Sequence, residues 1–240
     1  MSASLSLRAR SALFRALFPV WTALVSTLCL PLLLYRDARK IAPAGRLWGA
    51  GTMFLLKHVC NLRFAVRGEE NIPPGAPVIF ACKHQSVWET AIFLCLFPHP
   101  AYVLKKELLS VPLFGTFLRR LEMIAINRSG GSAAIKELQR LAAERLREGR
   151  AVVIFPEGTR KPVGATTDYQ SGVAFLYAGA PEGTAVVPTS LNSGEYWSPF
   201  SRIVRPGVIT MSYRPPIPVG LPRKEFMKAL EESIERGCAF

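Results

Sequence analysis

Residues 132–160 read SAAIKELQRLAAERLREGRAVVIFPEGTR. The first part of this stretch repeats at the period of a helix: Ile135, Leu138, Leu141 and Leu146 fall on one side, with Lys136, Arg140, Glu144 and Arg147 elsewhere. Gly149 stops it, as glycine does at a helix C-terminus. Ala151 to Phe155 then forms a short unbroken apolar run, the pattern of a buried strand. A helix feeding such a strand predicts a mostly parallel sheet covered by helices. The same alternation extends in both directions. Further strands are expected at Leu62 to Val66, Val78 to Cys82, Tyr102 to Leu104, Met123 to Ile126, Ala185 to Leu191 and Val208 to Tyr213. Helices are expected at Ser86 to Phe97, Leu113 to Leu121, Gly172 to Ala178 and Arg223 to Arg236. The fold class is therefore α/β.

The 240 residues leave room for one such domain and an appendage, and with half of them hydrophobic the chain buries a core rather than remaining disordered. A net charge of +13 calls for an anionic partner: nucleic acid, an anionic membrane face or a phosphorylated substrate. Residues 1–67 hold ten basic side chains and one acid, Asp37, around twenty uncharged residues from Ala16 to Tyr35. That pairing favours a membrane, and no zinc, homeodomain or RNP pattern supports a nucleic-acid partner. Twenty residues suffice to cross a bilayer, but Pro19 and Pro31 interrupt them. Basic residues flank both ends, so the positive-inside rule assigns no orientation. No small-residue cleavage site follows cleanly, as a signal peptide requires. Leu47 to Val59 is amphipathic and too short to cross. Residues 1–60 are read as a membrane-anchoring helical hairpin, lying in one leaflet or spanning, and 61–240 as the α/β domain. The five cysteines are odd in number and lack a C-x-x-C pair, which predicts reduced thiols in a cytosol-facing protein and no metal site.

In a parallel sheet, chemistry sits in loops after the strands. After Val78 to Cys82 comes Lys83-His84-Gln85-Ser86-Val87-Trp88-Glu89-Thr90. His84 and Glu89, five apart, cannot share a helix face. With His84 in the loop and Glu89 in the first helical turn, the carboxylate can reach back to one imidazole nitrogen and leave the other as a general base. Ser86-x-x-Glu89 is equally a capping box, which would leave His84 an ordinary loop residue. Phe155-Pro156-Glu157-Gly158-Thr159-Arg160 follows the next strand and suits an anion site, or else a surface turn with Arg160 paired to Glu157. Ile126-Asn127-Arg128 offers a second guanidinium, and Val187-Pro188 leads through Thr189 to a turn at Asn192-Ser193-Gly194. No G-x-S-x-G elbow points to a serine hydrolase.

In this order and spacing the four segments resemble the glycerolipid acyltransferase family, best known for the 1-acylglycerol-3-phosphate (lysophosphatidate) acyltransferases. The resemblance covers roughly residues 62–218 and rests on His84-x4-Glu89, on Lys105-Lys106-Glu107-Leu108 with Pro112, Gly115 and Ile126-Asn127-Arg128, on Phe155 to Arg160, and on Val187-Pro188 with Asn192-Ser193-Gly194. It implies an O-acyltransferase at the cytoplasmic face of the inner membrane. Such an enzyme moves a fatty acyl group from acyl-CoA or acyl-carrier protein to the sn-2 hydroxyl of 1-acylglycerol-3-phosphate, giving phosphatidate without a further cofactor. On that resemblance His84 and Glu89 are catalytic, and Lys105, Arg128, Glu157, Gly158, Thr159 and Arg160 bind substrate. The chain departs from the pattern in three places. Glu89 replaces Asp, Lys83 stands where Asn is common, and Gln170-Ser171 precedes Gly172 where a Lys is often found. The Glu89 and Gln170-Ser171 departures point to a second reading, another lyso-acceptor such as a lyso-aminolipid. A non-catalytic protein binding anionic lipid or an acyl carrier is the alternative of another class, against which the intact His84, Glu89 and Phe155 to Arg160 speak.

Overall fold

The computed structural model of the protein describes residues 4–165 and 168–238, so the extreme ends of the 1–60 and 61–240 units lie outside the described residues. Among the described residues seven strands form one sheet: β1 (Leu62–Arg67), β2 (Val78–Cys82), β3 (Ala101–Lys105), β4 (Ile124–Ile126), β5 (Val152–Ile154), β6 (Ala185–Leu191) and β7 (Gly207–Tyr213). Their order is β1-β7-β6-β2-β5-β3-β4. Neighbours run parallel, as expected, except β6 and β7, which pair antiparallel through Thr189–Tyr213, Ser190–Ser212 and Leu191–Met211. The helices are α1 (Leu5–Leu28), α2 (Ala38–Cys60), α3 (Trp88–Leu96), α4 (Phe114–Arg120), α5 (Gly131–Arg147), α6 (Gly172–Ala178), α7 (Ser193–Tyr196) and α8 (Arg223–Arg236).

Strand β2 shows how the sequence builds two cores. All five of its residues are buried and their side chains alternate between faces. Val78, Phe80 and Cys82 join Ile92 and Phe93 of α3 on one face. Ile79 and Ala81 join Leu138 and Leu146 of α5, Leu176 of α6 and Phe226 and Leu230 of α8 on the other. Each large apolar side chain so buried contributes about 1.5–3 kcal/mol before entropy is counted. The sheet is thereby clamped between helical layers, and the loops at its carboxyl edge inherit a rigid base.

The N-terminal segment is a helical hairpin, with bounds that differ from the apolar runs. Helix α1 starts at Leu5, because Arg8, Arg10 and Arg15 do not break a helix whose basic groups reach water. It stops at Leu28, and Leu30–Leu34 form a 3-10 turn led by Pro31. The side chain of Asp37 caps α2 by accepting the Arg39 N–H, which lets that helix begin nine residues before Leu47. Trp21 Nε1 donates to the Trp48 carbonyl and Trp48 Nε1 to Thr22 Oγ1, tying the two arms together. At Gly49 any Cβ would press on the Ala91 carbonyl, so this glycine permits the close approach of α2 to α3. Phe14 is buried edge-on against Trp197, and the Ser11 hydroxyl accepts the Val204 N–H. The hairpin therefore completes one helical layer of the domain as well as presenting α1, which is long and apolar enough to cross a membrane.

Candidate active site

Strands β2 to β6 run in the same direction, so the segments after β2, β3, β4, β5 and β6 emerge at one edge. There they surround a cleft of about 760 Å³ lined by His84, Lys105, Arg128, Gly158, Thr159 and Arg160. No acidic side chain lines it among the described residues. One wall is apolar and built by Leu104 of β3, Ile126 of β4, Ile135 and Leu138 of α5, and Val173 and Phe175 of α6. Cations at one end and hydrocarbon along the side suit an amphiphile with an anionic head.

His84 stacks on Phe155, ring centroids 3.9 Å apart and planes 16° from parallel. Its Nδ1 is buried and has no hydrogen-bond partner among the described residues. Burial first, then the Arg160 and Arg128 guanidiniums, push its pKa down to about 3. The imidazole is therefore neutral at pH 7, and the buried, cationic surroundings oppose its protonation until a negative charge joins them.

Glu89 does not bond to it. The carboxylate is fully buried; Oε1 accepts the N–H groups of Gln85 and Ser86, each at 2.9 Å, and the Ser193 hydroxyl at 2.5 Å, while Oε2 accepts the Ser86 N–H at 3.0 Å. Ser86 Oγ in turn accepts the Trp88 N–H at 3.2 Å instead of that of Glu89, and the helix is capped at Val87, so of the expected capping box only the Glu89-to-Ser86 half is formed. Three donors converging on one carboxyl group outcompete a single imidazole N–H, and the expected bond from Glu89 to the ring gives way to a carboxylate that shapes the His84 loop. Burial raises the Glu89 pKa to about 7, against the pull of these donors.

The expected substrate ligands divide into two groups. Arg128, Gly158, Thr159, Arg160 and Lys105 all face the cleft. Arg128 Nη1 donates to the Gly158 carbonyl at 2.6 Å and Arg160 Nε to the Ser86 carbonyl at 3.1 Å, which holds both guanidiniums beside His84. Gly158 has φ of +70°, and a Cβ there would lie 3.0 Å from Arg128 Nη1. Glycine meets both demands without strain. Glu157 behaves differently: it is 3% exposed and does not line the cleft, which corrects its expected place among the ligands of an anion. Its Oε1 accepts the His84 backbone N–H at 3.5 Å and pairs with Lys83 Nζ at 3.3 Å, while Oε2 has no partner among the described residues. Burial raises its pKa to about 7, with Lys83 opposing. A carboxylate turned toward a phosphate would repel it; here it braces the loop from beneath.

Lys83, noted in the sequence only as a departure, is a buried link missed among the site residues. Its ammonium joins Glu157 to Glu235 of α8 at 2.5 Å, and Glu235 also accepts the Tyr169 hydroxyl at 2.8 Å. Ser193, seen as part of a turn, opens α7 and holds Glu89. Nothing in the local sequence signals either partner, because they lie 152 and 104 residues away along the chain.

Comparison with known proteins agrees with this architecture. The family described as Acyltransferase matches residues 63–192. A 1-acyl-sn-glycerol-3-phosphate acyltransferase of Pseudomonas aeruginosa is 40% identical over 168 residues, covering 70% of this chain and 64% of its own. One from Cocos nucifera is 30% identical over 175 residues, covering 72% and 56%. One from Borreliella burgdorferi is 34% identical over 135 residues, covering 55% and 52%. The chain thus spans between about half and two thirds of the length of these relatives. The crystal structure of the 1-acyl-sn-glycerophosphate acyltransferase PlsC from Thermotoga maritima superposes with a TM-score of 0.74 at 23% identity, covering 96% of this chain and 97% of that one. At that identity the likeness is one of fold.

Proposed function

The chain belongs to the Acyltransferase family, whose pattern it carries from residue 63 to 192, and from that premise we propose that it acylates the sn-2 hydroxyl of 1-acylglycerol-3-phosphate to give phosphatidate. The observation that carries this reading is the neutral imidazole of His84 in a cleft ringed by Lys105, Arg128 and Arg160, with no carboxylate on its wall among the described residues. Arg128 and Arg160 receive the acceptor phosphate, each offering a planar fork of donors. Lys105 and Thr159 complete that head-group site, and the apolar wall takes the acyl chain.

His84 then removes the hydroxyl proton as the oxygen attacks the thioester carbonyl. The C–S bond breaks, the thiolate of acyl-CoA or acyl-carrier protein departs, and the proton passes from the imidazolium to sulfur. The donor supplies the acyl group, so no further cofactor enters the steps. Phosphate bound to the two guanidiniums offsets the charges that add to burial in holding the His84 pKa down, so the base strengthens when the acceptor is in place. Glu89 and Glu157 act on the reaction through the loop that carries His84.

The hairpin of residues 1–60 anchors the enzyme on the cytoplasmic face of the inner membrane, with Leu13, Val20 and Leu24 of α1 exposed for lipid contact. Incubating the purified protein with labelled acyl-CoA or acyl-carrier protein and a panel of lysolipids tests the proposal. Labelled phosphatidate is the expected product; acylation of a lyso-aminolipid alone would move the assignment to that acceptor.

A further inference from the structure

Ahead of α4 the chain makes a turn that the proposed reaction does not use. Leu113 has φ of +62° and ψ of −56°, and the Phe114 N–H donates back to the Pro112 carbonyl at 2.6 Å. This is a γ-turn at positive φ, a conformation that a branched L residue rarely takes, and such strain persists only where the surroundings impose it. The surroundings here are specific. Arg119 Nη1 donates to the Leu109 carbonyl at 2.5 Å and Nη2 to Thr116 Oγ1. Gly115 sits so close to that same carbonyl that a Cβ would overlap it. The outcome is unusual for a tightly held turn: Val111, Leu113 and Phe114 are 42, 36 and 46% exposed.

Three further observations say what covers this apolar tip. Phe114, with Leu108, also lines the cleft, so the turn is a rim of its mouth. Phe117 of α4 and Leu121 just after it pack on Val25, Cys29, Ile41 and Ala44 at the turn end of the N-terminal hairpin, where Leu28 and Leu34 are exposed. Exposed Lys105 and Lys106 precede the tip and exposed Arg119 and Arg120 follow it. We propose that the turn from Val111 to Phe114 is a second membrane-docking point, which inserts into an anionic leaflet beside the hairpin and opens the cleft mouth directly onto the lipid. Apolar side chains flanked by cations match the interfacial zone of such a leaflet, and a rigid turn inserts without a further ordering cost. This deepens the proposed function, and rests on it for the acceptor's route but not for the docking itself.

The test labels the full chain. Cys29, Cys60 and Cys82 are buried, so Cys95→Ser and Cys238→Ser leave no accessible thiol. An environment-sensitive fluorophore is then placed at Val111→Cys or, as a control on the opposite layer, at Lys228→Cys. In vesicles of phosphatidylglycerol and phosphatidylcholine carrying doxyl-labelled acyl chains, the label at 111 is expected to be quenched and the label at 228 not. Equal, weak quenching at both positions would overturn the proposal. So would a label at 111 shielded from aqueous iodide yet untouched by doxyl lipid, since a protein surface would then cover the turn. In parallel, Val111→Ser with Leu113→Gly, neither of which lines the cleft, is expected to lower kcat/KM about tenfold on vesicle-embedded lysophosphatidate and to spare a short-chain soluble acceptor. Equal activity of wild type and variant on both acceptors would also overturn it. Absence of phosphatidate from either acceptor with the wild type would instead refute the proposed function and leave the quenching to judge the docking.

Discussion

Replacing Glu89 by Gln separates a carboxylate that shapes a loop from one that pairs with an imidazole. In the fold Glu89 is fully buried and its pKa rises from the ordinary 4.5 to about 7, mainly through burial. Between those values the folded protein keeps a proton that the unfolded chain has released. Stability of the wild type must then fall as pH rises through this window, by about 3 kcal/mol from this group. Gln is neutral throughout and nearly isosteric with the protonated acid, so the variant is spared that loss. Relative to wild type, Glu89→Gln is expected to gain about 3 kcal/mol of stability between pH 4.5 and pH 8, because every other titrating group is common to both. Turnover is expected to fall, since the amide nitrogen that replaces Oε2 meets the Ser86 N–H donor to donor and displaces the His84 loop. Denaturant unfolding of both proteins in detergent at several pH values, with initial rates at pH 8, measures each quantity. A Glu89 bonded to a charged imidazole would have its pKa lowered, and the variant would lose ground as pH rises from the acid side. Parallel stability curves, or that opposite slope, refute the reasoning.

Three further outcomes follow from the same geometry. Arg128→Lys and Arg160→Lys, which replace a planar fork with a point charge, should each raise the acceptor KM more than the donor KM in steady-state assays. Lys83→Met leaves Glu157 without its cation and should cost about 3 kcal/mol in denaturant unfolding, most of it recovered when Glu157→Gln is added. Removal of residues 1–60 takes Phe14, Leu56 and Cys60 out of the core, so the remainder should lose its circular dichroism melting transition and its activity on membrane-embedded and short-chain acceptors alike.

The sheet was legible where short apolar runs are bracketed by Gly, Pro or Asn. The bounds of β2, β6, α6 and α8 follow directly from the sequence for that reason. Local pattern could not show that β7 reverses against β6, since a strand buried on both faces carries no mark of direction. The hairpin was read from its charge-free stretches, whereas helix bounds follow backbone hydrogen bonding; Arg8, Arg10 and the Ala38 to Arg46 segment are helical because their polar groups reach solvent or a cap. His84, Arg128, Gly158 and Arg160 share one edge of the cleft because each follows a strand that a short apolar run marks in the sequence. The burial of Glu157 and the linkage of Lys83 to Glu235 were not legible, because they depend on α8 docking under a loop 152 residues away.

The central claim is that His84 is the base of acyl transfer to a lysophosphatidate hydroxyl. Its most direct test measures labelled phosphatidate formed from acyl-CoA or acyl-carrier protein by the wild type and by His84→Ala, with circular dichroism confirming that both are folded. Loss of a general base typically costs about 10²- to 10⁴-fold in rate, so the variant should retain at most about 1% of wild-type turnover. A folded His84→Ala protein that keeps more than about a tenth of the activity, outside the range expected for loss of such a base, would contradict the account.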